Sequence, residues 1–301
     1  MIQANNVVKR FGKSIALNGL SCSIADGCLY GLVGSNGAGK STFLRLISGI
    51  YRADKGNITY DGVPVYDNPA VKNDIVFIAD DLYFPSQSSM NDMASLYKAA
   101  YKSFDTERFK SLTSTFRLNP KASVNTFSKG MRRQAAMILG LSAKPKYLFF
   151  DETFDGLDPV MRNLVKKVIY SDAAERGTTV IISSHSLREL EDTCDQLALL
   201  HKGGIVLESD VQNLKTSLFK VQVAYSEPFG VERFTDMGIN VQDYRQNGSV
   251  AVFIARGEQE QAVAALKETS PLLIDCLPLN LEEVFIHELA ALGYSFDDVM
   301  L

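Results

Sequence analysis

Gly34, Gly37 and Gly39, three glycines in six residues, separate an apolar run (CLYGLV, 28–33) from an amphipathic one (STFLRLISGI, 41–50). Glycine loses more conformational freedom on folding than any other residue, so a cluster of it is there for geometry. The first run reads as a buried strand. The second places Phe43, Leu44, Ile47 and Ile50 at the spacing of a helix face. Between them Gly34-Ser35-Asn36-Gly37-Ala38-Gly39-Lys40-Ser41 fits GxxxxGK followed by Ser or Thr, a loop that cradles phosphates. The glycines let successive backbone N–H groups turn inward onto anionic oxygens, and the helix N-terminus adds partial positive charge. In that geometry Lys40 reaches the β- and γ-phosphates of a nucleotide, Ser41 ligates Mg²⁺ and Thr42 bonds the α-phosphate. The loop therefore constrains the chain to an α/β fold built on strand, loop and helix.

Two further runs extend the pattern. KYLFFDET (146–153) is an apolar strand ending in two carboxylates. Beside the loop, Asp151 would hold Mg²⁺, and Glu152, expected to point elsewhere because strand side chains alternate, would polarise the attacking water as general base. TVIISSHSLRELED (179–192) reads as a third buried strand and then a polar turn. His185 falls at its C-terminal end, where open α/β sheets bind ligands, and could contact the γ-phosphate alongside Glu152.

Composition narrows the classes. At 301 residues there is room for about two domains. The net charge is −4 overall, but −8 from residue 219 onward and +4 before it. That asymmetry suggests a boundary near 216–219 and makes the tail a poor surface for nucleic acid or anionic lipid. Cys22, Cys28, Cys194 and Cys276 have no CxxC spacing and the histidines are far apart, so a reduced cytosolic chain without a Cys/His metal site is expected. The start, MIQANNVVKRFGK, lacks the apolar core of a signal peptide, and no apolar run is long enough to span a membrane. If the chain acts at a membrane, another chain spans it.

Taken in order, these motifs resemble the ATP-binding subunit of ABC transporters over about residues 2–218. Phe11, in KRFGKSIAL, matches the aromatic that stacks on adenine in that family, and FDGLDP (154–159) matches the D-loop, with Asp158 its aspartate. TFSKGMRRQ (126–134) stands where the family signature LSGGQ is expected. Ser128, Lys129 and Gly130 precede a helix expected over 131–143, and a helix N-terminus with a serine hydroxyl can bind a γ-phosphate. The resemblance implies that this phosphate belongs to ATP held by a second subunit, so that two chains clamp two nucleotides head to tail. Lys129 replaces the signature's first glycine and Met131 its glutamine. Asp80 takes the place of the Q-loop glutamine, where a carboxylate can still approach Mg²⁺.

The layout follows. A P-loop NTPase core of ABC type occupies 1–218, with a helical subdomain at about 86–145 that in the family faces the membrane partner. Residues 219–301 read as strand-helix-strand-strand-helix-strand, a small α+β unit of ferredoxin-like order, with Asn247-Gly248 as a hairpin turn and 279–289 as a terminal helix. Similar tails are common in ATPase subunits of bacterial drug, bacitracin and lantibiotic exporters. The resemblance implies an ATP- and Mg²⁺-dependent ATPase, cytoplasmic and peripheral at the inner face of the membrane. It would pair with a second ATPase copy and drive export through a separate transmembrane permease, without binding nucleic acid. A soluble ABC ATPase of translation or DNA repair fits less well: the chain carries one phosphate loop and no sustained heptads.

Overall fold

The computed structural model describes residues 1–154 and 157–300. A Gly12-Lys13 turn joins β1 (Ile2–Phe11) to β2 (Ser14–Ile24), and the pair is antiparallel. β3 (Leu29–Val33) leads through the glycine loop into α1 (Lys40–Ile47). β4 (Lys55–Tyr60), β5 (Val63–Pro64) and the short α2 (Pro69–Lys72) follow, then β6 (Ile75–Ile78). β4 pairs with β1, giving an antiparallel sheet ordered β2-β1-β4-β5. Residues 86–145 carry α3 (Met90–Ala100), α4 (Thr106–Thr115) and α5 (Lys129–Ser142). Ser89 opens α3 with a capping box and Ser128 caps α5, so polar side chains satisfy backbone donors at both starts.

The chain then returns to α/β with β7 (Tyr147–Asp151), α6 (Pro159–Arg176), β8 (Thr179–Ser184), α7 (Leu187–Glu191), β9 (Gln196–His201) and β10 (Gly204–Asp210). The central sheet runs β10-β9-β3-β8-β7-β6. β3, β7 and β8 are buried along their whole length, the mark of parallel strands covered on both faces. Parallel register puts Val33 opposite Ser184 and Asp151 opposite Ser183. The ends of the strands singled out in the sequence therefore converge on one edge, where α/β sheets bind ligands.

The described residues form two compact units, Met1–Glu208 with Val299–Met300, and Ser209–Asp298. The division precedes the one suggested by charge, because α8 (Val211–Ser217) packs through buried Val211 and Leu214 with the second unit's own elements. These are β11 (Leu218–Ala224), α9 (Glu232–Thr235), β12 (Asn240–Asn247), β13 (Val250–Arg256), α10 (Gln259–Glu268), β14 (Leu273–Pro278) and α11 (Leu281–Ala291); α12 (Phe296–Met300) follows. Their sheet is antiparallel in the order β12-β13-β11-β14. Its core alternates along the strands, Phe219, Val221 and Val223 facing Phe253 and Phe234. The hairpin turn sits one residue later than expected: Asn247 stays in the ladder opposite Val250, and Gly248 alone takes positive φ.

Candidate functional site

At the edge where β3, β7 and β8 end, a cavity of ≈ 280 Å³ is lined by Ala16, Asn36, Gly37, Gly39, Lys40, Ser41, Thr42, Asp80 and Glu152. The loop that forms it depends on Gly39, the residue before α1. Its φ is +114°, and a Cβ there would lie 2.7 Å from the Ala16 carbonyl oxygen, so no side chain fits. α1 thus begins at the cavity, with its unpaired N–H groups and dipole directed there.

Lys40 is buried, its side chain 3% exposed. The ammonium donates to the carbonyls of Gly34 (2.7 Å) and Ser35 (3.1 Å) and lies 3.2 Å from Glu152 Oε1. A cation held this way, in a cavity rimmed by backbone amides, suits an anion with several oxygens. Next to it, Ser41 Oγ and Ser183 Oγ both donate to Asp151 Oδ1, each at 2.9 Å. Burial pushes the Asp151 carboxyl above the ordinary carboxylate range, and these two hydroxyl bonds oppose the rise only in part. A hydroxyl and a carboxylate at one point are hard oxygen donors, the kind Mg²⁺ takes from a protein while phosphates and water complete its shell. Among the described residues no cluster of three His, Cys, Asp or Glu could hold a metal by itself, so any ion here depends on the phosphates it accompanies.

Glu152 leaves the direction of Asp151 by a different route from the expected strand alternation. β7 ends at Asp151, and Glu152 adopts φ +49°, a left-handed conformation uncommon for a side-chain-bearing residue. Its N–H donates to the Ser183 carbonyl (3.2 Å) and hydroxyl (3.1 Å), which hold the turn. Such strain clusters at functional sites. Its carboxylate faces the cavity between Lys40 and His185, whose Nδ1 is 4.0 Å from Oε2. That separation is within ion-pair range but beyond a hydrogen bond.

Other expected residues lie elsewhere. Phe11 is half exposed at the end of β1, edge-on to Tyr51 at 5.5 Å, and does not line the cavity. Ser128 Oγ accepts from the Met131 N–H (3.3 Å) as the cap of α5, and neither it, Lys129 nor Gly130 lines the cavity. Asp158 Oδ1 accepts from the N–H groups of Val160 and Met161, both at 3.0 Å, and so caps α6; Asp155 and Gly156 of the same stretch lie outside the described residues. Asp80 does line the cavity, but its carboxylate is bonded to Arg133 of α5. Sequence reasoning missed Ser183 and Arg133. The hint for Ser183 was a polar pair, Ser183-Ser184, ending an apolar strand; Arg133 gave none.

Residues 17–155 match the family model described as ABC transporter. The chain is 29% identical to the ABC transporter ATP-binding protein YtrB of Bacillus subtilis (strain 168), over 95% of this chain and 97% of that one. It is 31% identical to the Nod factor export ATP-binding protein I of Rhizobium sp. (strain N33), over 95% of each. Among solved structures it shares its fold with a dimeric, post-hydrolysis ATP-binding cassette bound to ADP and Pi, at TM-score 0.62 and 19% identity, over 70% of this chain and 99% of that one. With a relative above 30% identity aligned almost end to end, and a phosphate loop, an acidic strand end and a histidine in one place, the chain belongs to the ATP-binding subunits of ABC transporters.

Proposed function

We propose that two copies of this chain bind Mg·ATP head to tail, hydrolyse it, and thereby drive export through a separate membrane-spanning protein. The observation that carries the reading is the convergence of Lys40, Ser41 and Glu152 on one cavity at the sheet edge, with Asp151 hydrogen-bonded to Ser41 beside it. Lys40 and the loop amides bind the β- and γ-phosphates, with Thr42 at the α-phosphate. Ser41 and Asp151 hold Mg²⁺, which when bound neutralises phosphate charge. Glu152 takes the proton of the attacking water, and His185 steadies the γ-phosphate. Phe11 stacks on the adenine. Ser128, Lys129 and Gly130 at the start of α5, with Asp158 nearby in the pairing, serve the nucleotide of the second copy; the dimeric cassette that shares this fold supports that arrangement.

Export is supported by the similarity to the Nod factor export ATP-binding protein I. No helix among the described residues is long and apolar enough to cross a membrane; in this reading the permease is another chain and this one works at the cytoplasmic face. The second unit is read as ferredoxin-like from its β12-β13-β11-β14 order, and as a dimer-stabilising or regulatory appendage. The experiment is a tagged pull-down from detergent-solubilised membranes of the native cell. A stoichiometric multi-span protein is the expected result. A chain that stays in the soluble fraction with ribosomal or DNA-bound partners would rule the transporter reading out.

The metal assignment carries its own pH signature. A proton and Mg²⁺ compete for the Asp151 carboxylate, whose pKa burial raises. Affinity is therefore complete above that raised value and is lost as pH falls through it, sooner than for an exposed carboxylate. Binding of Mn²⁺ together with ADP, followed by electron paramagnetic resonance, should weaken as pH falls, and at a higher pH than for an exposed carboxylate. An affinity that does not fall as pH is lowered removes Asp151 from the metal site.

A further inference from the structure

Arg133 lies one turn beyond Lys129 on α5, and only 4% of its side chain is exposed. A guanidinium stays charged in a protein, so burying one demands a counter-charge. The structure supplies Asp80, whose Oδ1 accepts from an Arg133 terminal nitrogen. Asp80 stands two residues past the end of β6 and is half exposed. It lines the cavity of Lys40, Ser41 and Glu152, and also a smaller one of ≈ 110 Å³ shared with Lys129 and Arg132 at the start of α5. One carboxylate thus belongs to both places.

α5 has a second hold on the same strand. A Cβ on Gly140 would lie 2.9 Å from Ile78 Cδ1 and 3.1 Å from Val76 Cγ1, so the helix backbone rests directly on β6. The two attachments, at residues 133 and 140, are about 10 Å apart along the helix axis. Two points fix the direction of a rigid rod. Without the ion pair α5 keeps its contact at Gly140 and its packing on α3 and α4, but its N-terminal part loses its tether to the cavity wall. An amide at position 80 would leave the guanidinium uncompensated, which is a physical reason for a carboxylate there.

We propose that Asp80 and Arg133 are positioning residues. Their ion pair sets the direction of α5 relative to the nucleotide cavity, and so the reach of Ser128–Gly130 toward the nucleotide of the second copy. The inference rests on the head-to-tail reading above. It assigns the Asp80 carboxylate to Arg133 rather than to the metal, and it couples the two nucleotide sites through one contact.

The test uses the full chain and reads three quantities: Mg·ADP affinity of the single copy, ATP-driven dimerisation by light scattering, and steady-state turnover. The unmodified chain comes first. If ATP does not dimerise it, the head-to-tail reading falls and this inference with it. Asp80→Asn should leave Mg·ADP affinity within about threefold. It should lower turnover on the order of 10²-fold, the cost of misplacing a reacting group by about 1 Å. Asp80→Glu, which keeps the charge, should restore turnover. Since Asp80→Asn strands a buried charge and can unfold the chain, Asp80→Leu combined with Arg133→Met replaces both partners by apolar groups, an exchange folding tolerates. With an unchanged melting temperature, this double variant should still lose turnover and dimerisation. Full activity in the folded double variant would overturn the proposal. So would an Mg·ADP affinity that falls in step with turnover, which would make Asp80 a ligand.

Discussion

Glu152→Gln should bind ATP, dimerise on it and turn over 10²–10⁴-fold more slowly, about the contribution of a positioned general base. The change keeps the volume of the side chain and its acceptor oxygen toward Lys40, 3.2 Å away, and removes the charge that takes the proton. The backbone bonds from the Glu152 N–H to Ser183 do not involve the side chain, so the φ +49° turn should survive. Binding should be as tight or tighter, because a carboxylate beside the phosphates repels them and an amide does not. Turnover by phosphate release and binding by titration with ATP separate the two effects. A slow variant that also fails to bind would indicate a collapsed cavity rather than a lost base. Unchanged steady-state hydrolysis would remove Glu152 from the base role, leaving His185 as the next group to test.

The difference between Asp151 and Glu152 marks how far the sequence could be read. Strand, loop and helix around Gly34–Ser41 were legible because their chemistry is local: glycine spacing, a lysine, and apolar periodicity on either side. Asp151 was legible for the same reason, at the end of an apolar run. Glu152 was legible as a candidate, but for an incomplete reason, since its direction comes from a left-handed backbone held by a strand 31 residues away and not from alternation. Ser183 reaches Asp151 across parallel register, and Arg133 reaches Asp80 across 53 residues. Neither pairing leaves a periodic trace. The limits of the second unit were blurred for a similar reason: α8 reads as the end of the first unit until its packing against α11 and β11 is known.

Lys40→Met is expected to have the largest effect on binding, weakening ATP on the order of 10²–10³-fold, the range for losing one partner of a desolvated charge pair. Two penalties act in the same direction. The ammonium that faces the phosphates disappears, and Glu152, 3.2 Å away, is left uncompensated in the cavity the phosphates must enter. The carbonyls of Gly34 and Ser35 also lose their donor, which loosens the loop around Gly39. The double variant Lys40→Met with Glu152→Gln separates these terms. If repulsion from the stranded carboxylate is a real part of the loss, Glu152→Gln tightens ATP binding more in the Lys40→Met background than in the unmodified chain, and the two changes are non-additive. If the whole loss is the missing ammonium, Glu152→Gln changes binding by the same factor in both backgrounds. A titration with a fluorescent ATP analogue in Mg²⁺ distinguishes the cases. Affinity in Lys40→Met within about threefold of the unmodified chain would mean that this cavity is not where the phosphates bind. Every role assigned to Ser41, Asp151 and Glu152 would then lose its substrate, since each is defined by its place around that one ammonium.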